Sequence, residues 1–148
     1  MSSDARSLLA LTLGCTFAAA LFGVGANLFS FRSAFEGAGR ELLIQAAATV
    51  VYLGLALVLV FKGGWRGVLA ALVMILGATA ISWALLPFSL GLAGVGDPAG
   101  YAERFGDFRR PSYSGWAAFD LIFVGGSAAL AQGLRLMAHV DPKGPRDE

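Results

Sequence analysis

The sequence predicts an all-α integral membrane protein: a bundle of four transmembrane helices, with a short amphipathic interfacial helix between the third and fourth spans. Three observations carry that expectation. Hydrophobic residues make up 57% of the 148 residues, charged residues only 14%, and the mean hydropathy is +0.69, well away from the balance of a water-soluble domain. Four apolar runs are each long enough to cross about 30 Å of hydrocarbon, which takes roughly 20 helical residues. Finally, Trp65, Trp83 and Trp116 fall at run ends, where interfacial aromatic belts form. The length allows one domain, so residues 1–140 read as a single membrane domain and 141–148, DPKGPRDE, as a polar tail.

The four spans are expected at 7–31, 41–61, 65–86 and 114–139. Span one reads as a retained anchor, because its apolar run is longer than a cleavable signal core. LTLGC, ending at Cys15, has the outline of a lipoprotein box, but Thr12 stands where an aliphatic residue is needed. The connection KGGW (62–65) is so short that spans two and three must form an antiparallel hairpin. FRSAFEGAGRE (31–41) is only slightly longer, which makes spans one and two neighbours. Pro87 stops span three, since proline has no N–H to continue the ladder and its ring clashes with the preceding turn.

Four spans put both termini and KGGW on one side, with Arg6, Lys62, Arg66, Arg135, Lys143 and Arg146. The other side carries Arg32, Arg40, Arg104, Arg109 and Arg110. The bias is small, but both lysines lie on the terminal side and most acidic residues lie opposite. The expected orientation is therefore both termini in the cytoplasm. The Arg, Ala, Gly and Leu bias points to a bacterial inner membrane.

The third connection, 88–113, is too long for an ordinary loop and calls for structure of its own. FSLGLAGVG is apolar and glycine-rich, suited to the interface. Asp97-Pro98 then reads as an N-cap followed by proline at the first helical position. Tyr101, Phe105 and Phe108 recur at i, i+4 and i+7, with Glu103, Arg104, Asp107 and Arg109 on the remaining faces. That is the pattern of a short helix lying on a membrane, closed at Pro111. As a plain reading it is a spacer at the headgroups. As a functional one it is a partner or membrane surface, with Arg109 and Arg110 placed to meet a lipid phosphate or an acidic partner.

Polar side chains inside spans are costly unless paired, so their placement is informative. Counting turns from the span ends puts Asn27, Gln45, Thr49, Thr79, Ser82 and Asp120 in one leaflet, on the side of the long connection. The other leaflet has only Thr12, Thr16 and Gln132. Asn27, Gln45, Thr49, Ser82 and Asp120 form the candidate binding cluster. Asp120 sits near the N-terminus of span four, where the helix dipole favours an anion. It reads either as structural glue or as the anchor of a shallow pocket for a proton, a cation or a polar headgroup.

Small residues repeat every four positions on two spans: Cys15, Ala19, Gly23 and Asn27 on the first, Gly125, Ala129 and Gly133 on the fourth. Such stripes let helices approach closely in lipid. They serve either packing within the bundle or contact with another protein.

Catalytic chemistry has little to draw on. His139 is the only histidine and Cys15 the only cysteine, so neither bis-histidine haem ligation nor a CxxC site can form within the chain. His139 and Met137, two residues apart, point to different helix faces. No nucleophile–base pair or phosphate-binding glycine loop appears. A net charge of +1 with no basic run gives no attraction for nucleic acid. The expectation is a non-catalytic accessory or scaffolding subunit of a larger membrane complex, without cofactor or metal, in contact with lipids and a larger protein or further copies of itself. The alternative is a small homo-oligomeric transporter or channel built around Asp120.

Overall fold

In the computed structural model the chain is described over residues 3–34, 39–94 and 96–138, with side chains over 3–29, 43–94, 96–98 and 117–138. The polar tail at 141–148 and His139 lie outside the described residues. Five helices follow in order: α1 (Ser3–Ala34), α2 (Gly39–Gly63), α3 (Trp65–Ala84), α4 (Leu86–Leu92) and α5 (Pro98–Ala138). No strand occurs among the described residues. Four apolar stretches are long enough to span a bilayer: Ser3–Phe29, Leu43–Gly63, Trp65–Ala84 and Ala117–Ala138. They match the expected spans to within a few residues at each end. This is a multi-pass membrane protein.

Exposure fits that environment. Only 22% to 39% of each span's most apolar window is buried within the bundle, and Leu13, Phe17, Leu69, Ile122 and Leu130 are among many large side chains facing outward. On a soluble protein such a surface would aggregate; against acyl chains it is at home.

The helices form a rhombus. The α2–α3 hairpin packs on itself and makes the short diagonal. α1 lies against one side of the hairpin and α5 against the other, and the two do not touch each other among the described residues. α4 contacts both α1 and α5, closing that gap. At the turn, Gly64 has φ 57°, a left-handed conformation suited to glycine, and its N–H bonds the Val60 carbonyl at 2.8 Å. Gly67 permits the tight return, since a Cβ there would land on the Leu59 backbone carbonyl. Arg135 of α5 donates to the Phe61 carbonyl at 3.0 Å, satisfying an acceptor left open at the end of α2. The core at mid-bundle is Cys15, Ala19, Ala56, Leu59, Ala71, Met74, Ile75, Val124 and Ala128. Alanines at the helix contacts and a few large side chains between them give the close approach that lipid-embedded bundles need.

The third connection differs from expectation. Span three ends at Ala84, and Leu86–Leu92 forms a helix of its own with Pro87 in its first turn; Leu86, Ser89 and Leu90 are buried. Pro87 therefore ends one helix and opens another, its fixed φ suiting both roles. The stretch with Tyr101, Phe105 and Phe108 is helical in backbone, but it is not a separate short helix. From Pro98 the helix runs 41 residues to Ala138, passing Pro111 without a break and merging with span four. Proline inside a helix removes one hydrogen bond and disfavours the residue before it, yet one such defect leaves the helix continuous when the flanking turns hold. The side chains of Tyr101, Phe105, Phe108, Arg109 and Arg110 lie outside the described residues.

Candidate functional site: a polar cavity where four spans meet

Asn27 and Gly23 on α1, Gln45, Ala48 and Tyr52 on α2, Thr79 and Ser82 on α3, and Ala117 and Asp120 on α5 line one cavity of about 40 Å³. Its origin is helical register. On α2, Gln45, Ala48 and Tyr52 stand at i, i+3 and i+7, one face of a 3.6-residue helix, with Thr49 at i+4 beside them. On α1, Gly23 and Asn27 are one turn apart. On α3, Thr79 and Ser82 are three apart. Each span turns its polar stripe to the same point.

The buried members are bonded across helices. Thr49 Oγ1 donates to Asp120 Oδ1 at 2.6 Å, joining α2 to α5, and both residues are buried. That length lies in the short range typical of a hydroxyl on an ionised carboxylate. Ser82 Oγ donates to the Ala20 carbonyl at a long 3.4 Å, joining α3 to α1. Asn27 and Ser82 are also buried, while Gln45 and Thr79 are half-buried toward the cavity's outer edge.

Gly23 shapes the site by what it lacks. A Cβ there would run into Ser82 Oγ and Tyr52 Oη, so the glycine makes room for two hydroxyls. It belongs to the stripe Cys15, Ala19, Gly23 and Asn27, which is buried along its whole length against the rest of the bundle. The span-four stripe is divided. Gly125 packs on Leu72 and Ala129 against the core, whereas a side chain added at Gly133 would meet nothing within 4 Å.

The five cluster residues Asn27, Gln45, Thr49, Ser82 and Asp120 thus lie together around one point. Sequence reading passed over Tyr52, which is 5% exposed with its hydroxyl beside Gly23 and Ser82. The signal was present in its place three residues after Thr49 and seven after Gln45. At the other end, Thr12 and Thr16 donate to the carbonyls of Leu8 (2.7 Å) and Thr12 (2.8 Å) in their own helix. Gln132 Oε1 is buried without a hydrogen-bond partner among the described residues.

A second concavity is of another kind. Between α1 and α2, on the outer surface, runs an open groove of about 500 Å³ with an almost wholly apolar lining. Gly25, Ala26, Ala47 and Ala48 are its small residues; Phe22, Phe29 and Val51 are among the large ones around them. Among the described residues no three His, Cys, Asp or Glu side chains gather as a metal site. Compared with family models, curated proteins and solved structures, the chain matches none.

Proposed function

We propose that the protein is a non-catalytic accessory or scaffolding subunit of a larger bacterial inner-membrane complex, and that the α1–α2 groove receives a transmembrane helix of its partner. The groove is the observation that supports this reading most directly. A small-residue stripe in a groove with large apolar flanks is the shape against which helices pack in lipid, where close backbone approach replaces the hydrophobic drive available in water. About 500 Å³ also suits side chains of an inserted helix. In this proposal both termini lie in the cytoplasm, and the 98–116 part of α5 continues out of the opposite face of the membrane, where it caps the partner.

The transporter alternative draws on the Asp120 cavity. At about 40 Å³ that cavity holds a few waters at most, against roughly 300 Å³ or more for an ordinary small-molecule site. Below it, Leu59, Met74, Ile75 and Val124 are fully buried and fill the centre with apolar side chains. These features favour the subunit reading.

Gly25 provides the test, because a side chain added there meets nothing within 4 Å and would occupy only the groove. Gly14, on the same helix and equally open, is the control. Tagged protein is purified in mild detergent from its native membrane and its companions are identified by mass spectrometry. The expected result is a stoichiometric membrane partner with wild type and Gly14→Phe, lost with Gly25→Phe. A lone monomer or homodimer from the wild type would instead turn attention to transport through Asp120.

A further inference from the structure

We propose that the four-span cavity is a binding site for one monovalent alkali cation, Na⁺, held by the Asp120 carboxylate and the neutral oxygens around it. This stands independently of whether the chain docks to a partner.

Charge comes first. Asp120 is 8% exposed within the span Ala117–Ala138, where an ionised group needs a matching charge. Among the described residues, no Lys, Arg or His lines the cavity. The 2.6 Å bond from Thr49 is compatible with an ionised acceptor, and in this proposal the bound ion supplies the balancing charge. One carboxylate balances one monovalent ion; a divalent ion would leave a positive charge uncompensated in a low-dielectric site.

The donor set points the same way. Asn27, Gln45, Tyr52, Thr79 and Ser82 have amide and hydroxyl oxygens, and among the described residues no thiolate or imidazole lines the cavity. Oxygen ligands of this kind suit hard cations rather than transition metals. The Thr49 and Ser82 hydroxyls direct their protons to Asp120 and to the Ala20 carbonyl, so their lone pairs remain to accept. About 40 Å³ fits a small ion with one or two waters and is too small for a lipid headgroup or an organic cation. The site lies within a turn or two of the span ends on the side of the long connection, which sets the side of entry.

The test uses the purified full chain in detergent micelles. Binding of ²²Na⁺ is measured directly, and thermal midpoints are compared in NaCl, KCl and choline chloride at equal ionic strength. The expected result is saturable, near one-to-one Na⁺ binding, with a midpoint that rises in NaCl, rises in KCl only at higher concentration, and does not rise in choline chloride. Asp120→Asn should abolish ²²Na⁺ binding, and Thr49→Val should raise the half-saturating concentration about tenfold. Should Asp120→Asn fail to fold, the wild-type isotherm and Thr49→Val still decide the matter. Absence of ²²Na⁺ binding to wild type overturns the proposal, as does equal stabilisation by all three salts. A midpoint that responds to pH but not to Na⁺ overturns it too, since a proton would then be what neutralises Asp120.

Discussion

The two ends of the bundle handle their buried polar groups in different ways. Toward the α2–α3 hairpin, Thr12 and Thr16 bond carbonyls of their own helix, and the centre is filled by Leu59, Met74, Ile75 and Val124. Toward the long connection, the bonds cross between helices: Thr49 to Asp120, and Ser82 to the Ala20 carbonyl. A bond within one helix is indifferent to where its neighbours stand. A bond between helices is satisfied at one register only, and leaving its partners unpaired in hydrocarbon is costly. The hairpin end is therefore held by shape, by the short turn at Gly64 and by the exposed Arg135 bond to the Phe61 carbonyl, and the cavity end by buried pairing. That division suits a hairpin whose register the turn already sets, with α1 and α5, which do not touch among the described residues, each tied to it by a buried polar bond.

The largest expected difference between the ends comes from one substitution at two places on α1. Gly23→Ala puts a methyl into Ser82 Oγ and Tyr52 Oη and should lower the unfolding free energy by about 2 kcal/mol, because overpacking outweighs the gain in helix propensity. Gly14→Ala faces open space and should be neutral or stabilising by up to about 1 kcal/mol. Reversible unfolding in mixed detergent and SDS measures both. Equal effects would mean that the close approach at Gly23 is not a constraint on the fold.

A second pair isolates the bonds themselves. Thr49→Val removes the donor to Asp120 and should cost about 1–2 kcal/mol, since it leaves a buried carboxylate without its partner. Thr12→Val removes a bond to its own helix and should cost less than about 0.5 kcal/mol, because such back-bonding adds little to a helix. The same unfolding titration compares them. A Thr12→Val loss as large as that of Thr49→Val would break the distinction between local and cross-helix pairing.

Much of this arrangement was legible in the sequence, and the exceptions have physical causes. The spans follow from apolar run length alone, and the hairpin from a connection too short for any other geometry. Placing Asn27, Gln45, Thr49, Ser82 and Asp120 in one leaflet needed only turn counting from the span ends. That they meet at one point depended on helix rotation, which hydropathy does not report for spans with apolar residues all round. Tyr52 escaped because its ring counts as apolar while its hydroxyl does not. α4 escaped because seven residues are too few to show a period, and Pro87 reads equally as a stop or a start. The continuity of α5 ran against a real local preference, the aversion of the residue before Pro111 to helix, which longer-range helical order overrode.

The smallest expected effect concerns a buried side chain at the hairpin end, Gln132, that breaks the pattern there. Gln132 is 5% exposed, lies beside Gly64 of the turn, and keeps Oε1 without a partner among the described residues. Neither local bonding, as at Thr12, nor cross-helix bonding, as at Asp120, satisfies that oxygen. Gln132→Met preserves length and flexibility while removing the unsatisfied acceptor, so it should stabilise the bundle by up to about 1 kcal/mol. Gln45→Met at the cavity end should not stabilise, because Gln45 keeps interactions there. Stabilisation at 132 and loss at 45 would sharpen the contrast between a hairpin end that works best dry and a cavity end that works only when wired. Loss at both positions would show that Gln132 too is paired in the bilayer, and that the hairpin end is less apolar in its requirements than its packing implies.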